Sequence, residues 1–151
     1  MPLPAMLLAA AAAFPLTTLA GMIVTGFKVP GIDNEFTLMV YAAIVLSFMS
    51  GVLWGLAMLV PGHGAPGRWG HLGDWRRYGA SFVPALFAWI GLLLPVKAGA
   101  WVMAIGFIGI LIYDLRCTKA GEAPSWFPAL RWPVVVMATG SLIVGIVLAR
   151  S

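Results

Sequence analysis

The segment YAAIVLSFMSGVLWGLAML, residues 41–59, carries no Asp, Glu, Lys, Arg or His. As an α-helix it would rise about 28 Å, close to the thickness of a bilayer's hydrocarbon layer. It also sorts its small residues onto one side. Ala43, Ser47, Gly51 and Gly55 recur every fourth residue, and Ser50, Trp54 and Met58 fill the adjacent row, because positions i, i+3 and i+4 share a helix face. Helices in lipid gain little from hydrophobicity when they associate, so contact depends on close backbone approach over small residues and on hydroxyl hydrogen bonds. The face therefore predicts helix packing, either within the chain's own bundle, which is the expectation for Gly51 near mid-membrane, or against a separate subunit. Ser141, Gly145 and Ala149 repeat the spacing near the C-terminus, and Thr18, Met22 and Gly26 do so more weakly near the N-terminus.

The whole chain has the same character. Of 151 residues, 62% are hydrophobic and 9% charged, and the mean hydropathy is +0.99. That composition belongs to an integral membrane protein and leaves little for an aqueous domain. The nine Lys and Arg, which give a net charge of +4, lie singly or in pairs beside apolar segments, as bilayer orientation requires and as nucleic-acid binding does not. A single cysteine, Cys117, excludes an intramolecular disulfide and any CxxC motif.

Apolar runs at about 4–27, 36–60, 78–96, 98–113 and 132–149 predict one all-α domain, residues 1–151, built as a bundle of five transmembrane helices. PVKAG, residues 95–99, makes a tight antiparallel hairpin of the third and fourth. The N-terminal run has no Lys or Arg before it and reads as a retained first span rather than a secretory signal. With five spans, Arg68, Arg76, Arg77, Arg116, Lys119 and Arg131 share one side, against Lys28, Lys97 and Arg150 on the other. The positive-inside rule then puts the N-terminus and the 61–77 and 114–131 loops in the cytoplasm, with the C-terminus outside, in a bacterial inner membrane. Trp69, Trp75, Tyr78, Trp126, Phe127 and Trp132 lie beside these cations, where indole rings settle into the headgroup layer.

The five runs as drawn contain no Asp, Glu, Lys, Arg or His, which argues against an ion-coupled transporter or pump. Asp114 closes the fourth run and can be either a solvated helix end or a partner for Arg131 across the loop. His63, His71 and Asp74 are too loosely spaced for a zinc site, and both imidazoles lie outside the runs, so neither metal nor haem is expected. Ser81 has no base near it in sequence, and no GxSxG, HExxH or P-loop pattern occurs. The expectation is a protein without catalytic activity, cofactor or bound metal. Pro15 and Pro84 lie inside runs, where each removes a backbone donor and bends the helix. A bend at Pro84 with Trp54, Ser81 and Trp89 is expected to line a pocket for an uncharged hydrophobic ligand such as a lipid tail, a quinone or a tetrapyrrole-like ring.

Three blocks carry a resemblance: YAAIVLSFMSGVLWGLA (residues 41–57), YGASFVPALFAWIGLLLP (78–95) and FIGILIYDLRCTKAGEAPSWFPALR (107–131). In order and spacing they are similar to the family called domain of unknown function 3429, whose eukaryotic relatives are named transmembrane protein 69. The resemblance implies that Tyr41, Ser47, Trp54, Tyr78, Ser81, Pro84, Trp89, Asp114, Gly121, Pro124, Trp126 and Arg131 are signature positions. It implies no activity. Little extramembrane mass, no charge in the runs and small-residue faces together point to an accessory or assembly subunit of a larger membrane complex, respiratory or photosynthetic, with lipids and other membrane subunits as partners. The competing expectation is a module that carries an uncharged hydrophobic ligand.

Overall fold

The end of the first helix and the start of the second fall where the sequence supplies caps. The first helix, α1 (Leu3–Thr25), stops at Gly26, whose φ of 71° is open to a residue without Cβ. There the Phe27 N–H reaches back to the Met22 carbonyl at 2.9 Å, the signature of a Schellman turn. The second helix, α2 (Asn34–Leu59), starts behind Asp33, whose carboxylate accepts the N–H groups of Glu35 at 3.0 Å and Phe36 at 3.2 Å. Asn34 closes the connection by donating from Nδ2 to the Phe27 carbonyl at 2.7 Å.

A computed structural model describes residues 3–59, 75–121 and 123–149. Beyond α1 and α2 it contains α3 (Trp75–Leu93), α4 (Val96–Lys119) and α5 (Phe127–Leu142), which continues as a π-helical stretch, Ile143–Leu148. No strand occurs among the described residues. Leu3–Thr25, Asn34–Met58, Val96–Lys119 and Phe127–Leu148 are each long and apolar enough to cross a membrane, and the apolar part of α3, Tyr78–Leu93, is shorter.

Two boundaries differ from the runs at 98–113 and 132–149. Helix α4 continues past Asp114 and Arg116 to Lys119, and α5 begins five residues before Trp132, so it includes Arg131. A charge marks the edge of an apolar run but does not interrupt backbone hydrogen bonding, and Pro128 sits in the first turn of α5, where its missing N–H costs nothing. Both members of the expected Asp114–Arg131 pair thus stand on helices rather than bracketing a loop.

The helices pack in chain order, α1 returns onto α5 to close the ring, and α2 meets α4 across the middle. Leu16, Leu38, Leu46, Met103, Phe107, Ile110, Leu142 and Ile146 fill the centre. Some crossings depend on an absent side chain. A Cβ on Gly99 would overlap the Gly91 carbonyl oxygen across the α3–α4 hairpin and stand 2.8 Å from the Met39 methyl. On the π-helical stretch, a Cβ on Gly145 would lie 3.2 Å from the Ala20 Cα on α1.

Candidate functional site

On α4, Asp114 continues the inward row of Met103, Phe107 and Ile110, and on α5 Arg131 continues that of Phe127, Val134 and Ala138. The two rows meet. Arg131 Nε lies 3.6 Å from Asp114 Oδ2, with the side chains 6% and 0% exposed. The guanidinium also donates from Nη2 to the Met49 carbonyl of α2 at 3.0 Å, and its Cζ stands 4.7 Å from the centre of the Phe127 ring. One cation thereby ties three helices. Neither Asp114 oxygen nor Arg131 Nη1 has a hydrogen-bond partner among the described residues. The pair is therefore held by charge and by Arg131's other contacts, not by a bidentate lock. It is buried in the bundle, not solvated at a helix end.

One residue further along α2, the Ser50 hydroxyl donates to the Ser81 carbonyl of α3, and the Ser81 hydroxyl donates to the Tyr78 carbonyl at 2.7 Å. Ser50 and Ser81 are 3% and 1% exposed. Pro84 withdraws the donor that the Ala80 carbonyl would otherwise use, so the backbone here is loosened beside an interhelical bond. Met49 and Ser50 thus fasten the inner side of one α2 turn to α5 and α3.

Among the described residues the outer side of that turn carries little packing. Ala43 is buried, but Ser47 and Gly51 are exposed and Gly55 is half-buried. Among the described residues, a Cβ on Gly51 or Gly55 would meet nothing within 4 Å. The expected packing of Gly51 inside the bundle is not found among the described residues. Leu46, Met49, Ser50 and Leu53 supply the inward surface of α2, since bulky side chains fill a core that a glycine row would leave empty. Small-residue packing falls instead on the α3–α4 hairpin, at Gly91, Gly99 and Gly106, and on α5, where Ser141 is buried and Gly145 abuts α1.

The four residues expected to line a pocket do not converge. Ser81 and Pro84 are buried, whereas Trp54 is 50% and Trp89 60% exposed. Pro84 alone borders a groove, an apolar one of about 310 Å³ between α3 and α4, with Ala80, Val83, Gly106, Gly109, Ile110 and Tyr113. His63, His71, Asp74, Arg68, Trp69 and Arg150 lie outside the described residues. Among the described residues no three His, Cys, Asp or Glu gather as metal ligands, and Cys117 is half-buried. Spacing puts Ser50 in the row beside Gly51 and Gly55 and places Phe127 in the headgroup layer; the structure turns Ser50 inward to Ser81 and Phe127 inward to Arg131, and the Met49 carbonyl is not singled out by spacing at all. Ser50 was visible as a polar residue in an apolar run, but a backbone carbonyl leaves no mark in a sequence.

Apolar helices fastened to one another by a few buried polar residues define a multi-pass α-helical membrane protein. The chain matches the family described as Protein of unknown function (DUF3429) over residues 1–147 and belongs to it. Transmembrane protein 69 of Xenopus tropicalis is 36% identical over 94% of this chain and 53% of its own length. Transmembrane protein 69 of Mus musculus is 28% identical over 97% of this chain and 57% of its own length. The chain thus spans a little over half the length of these curated relatives. No solved structure matches it.

Proposed function

We propose that this chain is a non-catalytic inner-membrane protein that serves as an accessory or assembly subunit, docking a second membrane subunit on the outer face of α2. The observation that carries this reading is the bare row of Ser47, Gly51 and Gly55, flanked by Phe48 at 72%, Trp54 at 50% and Met58 at 65% exposure. Small residues let another helix's backbone come close, and the large side chains beside them provide contact area. The row is also rigidly presented, because Met49 and Ser50 bind its reverse side to α5 and α3.

Five crossings with a cytoplasmic N-terminus accompany the proposal. The fifth crossing is supported by the α3–α4 hairpin, and the orientation by six Lys and Arg on one side against three on the other. The Gly91–Gly99 contact near the turn and the Ala80–Tyr113 groove further along show α3 running antiparallel beside α4. A helix lying along most of a spanning partner crosses with it. The competing reading, a carrier of an uncharged hydrophobic ligand, has less support, because Trp54 and Trp89 are exposed whereas Ser81 is buried.

Gly51→Leu tests docking. The open space at Gly51 predicts a stability change within about 0.5 kcal/mol, normal accumulation, and loss of co-purification with the larger complex in mild detergent. A variant that keeps its partners would refute the proposed face.

A further inference from the structure

The α3–α4 groove ends beneath a cationic edge. Along α4, Gly109, Tyr113 and Arg116 follow at intervals of four and three residues and so share one side of the helix. Gly109 and Tyr113 line the groove, and Arg116 and, one turn on, Lys119 are exposed above it. Lys97 and Arg116 stand about 29 Å apart along the helix, near the thickness of the hydrocarbon layer. Arg116 therefore lies at headgroup level, and the groove lies in the first part of the acyl region below it. On the opposite wall, the pairing of Phe87 with Gly106 and of Ala80 with Tyr113 sets the first turn of α3, which contains Arg76 and Arg77 in sequence, level with Arg116. The carboxylate nearest Arg116 among the described residues, Asp114, is turned inward to Arg131. Asp74 and Glu122 lie outside those residues.

We infer that this groove binds an anionic glycerophospholipid, with one acyl chain between Pro84 and Gly109 and its phosphate held by Arg116. The apolar walls select a hydrocarbon chain, and the cations above them select negative charge. The inference stands apart from the docking proposal, which concerns a different helix face.

The test is native mass spectrometry of the full chain in neutral detergent, titrated with phosphatidylglycerol or with phosphatidylcholine of the same chains. The expected result is preferential retention of one phosphatidylglycerol. A cation near an anionic headgroup contributes about fivefold in affinity. Arg116→Gln should therefore weaken phosphatidylglycerol about fivefold, and Arg116→Gln with Lys119→Gln about thirtyfold, leaving phosphatidylcholine unchanged. Among the described residues a Cβ on Gly109 meets nothing within 4 Å, so Gly109→Leu should fill the groove, keep the melting temperature and abolish retention of the lipid. Equal retention of the two lipids, or no effect of the Arg116 and Lys119 changes, would overturn the headgroup assignment. Full retention by a folded Gly109→Leu protein would overturn the groove.

Discussion

Removing Arg131 should cost far more than removing Asp114, although the two form one ion pair. Arg131→Met takes away the ion pair, the Nη2 bond to the Met49 carbonyl and the contact over Phe127. It leaves Asp114 buried with neither oxygen hydrogen-bonded among the described residues. Breaking a buried pair and stranding one charge typically costs about 3–5 kcal/mol. Asp114→Asn removes the attraction across 3.6 Å, but it leaves Arg131 its carbonyl acceptor and its aromatic face, which together are worth roughly 2–4 kcal/mol. Its cost should be about 1–2 kcal/mol, since no hydrogen bond between the two side chains is lost. The double variant Asp114→Asn, Arg131→Met strands no charge, so it should be more stable than Arg131→Met alone by about 1–3 kcal/mol. Reversible unfolding in mixed micelles, followed by tryptophan fluorescence over a denaturant series, measures all four proteins. Equal single losses, or losses that add in the double variant, would refute the three-helix tie through Arg131.

Gly99→Ala should destabilise the α3–α4 hairpin by about 1–3 kcal/mol or more, because the new Cβ would overlap the Gly91 carbonyl. Gly51→Ala, which meets open space, should melt with the wild type. Ser50→Ala should cost about 1 kcal/mol through its bond to the Ser81 carbonyl, and Ser47→Ala on the exposed side should cost nothing measurable in the same denaturation assay. Topology reporters inserted at Gly64 and fused after Ser151 should report opposite sides of the membrane. Finding both on one side would contradict five crossings.

The apolar runs revealed the helices because bilayer thickness imposes a length that a sequence displays directly. Their ends were less legible. The run ending at residue 113 stopped at the first charge, whereas α4 extends to Lys119, since a charge that finds a partner inside the bundle does not end a helix. The direction of each face was least legible. Gly51, Gly55 and Ser47 share a side by spacing alone, but spacing does not say which side turns inward, and in lipid both sides of a helix are apolar. For the same reason Gly99 read only as part of the PVKAG turn, although a Cβ there would overlap the Gly91 carbonyl across the hairpin. Asp114 and Arg131 were visible as candidates because carboxylates and cations are sparse here. Their depth, and the Phe127 ring and Met49 carbonyl that receive Arg131, depend on how α2, α4 and α5 converge.

Docking on the outer face of α2 is tested most directly by site-specific photo-crosslinking in native membranes, with the probe placed in turn at Ser47, Gly51 and Gly55 and, for comparison, at Ile105, Ile108 and Ile112 on the exposed side of α4. The account predicts one discrete protein adduct from the three α2 positions, absent from the α4 positions and lost when the partner's gene is removed. Lipid adducts alone from Ser47, Gly51 and Gly55, matching those from α4, would contradict it.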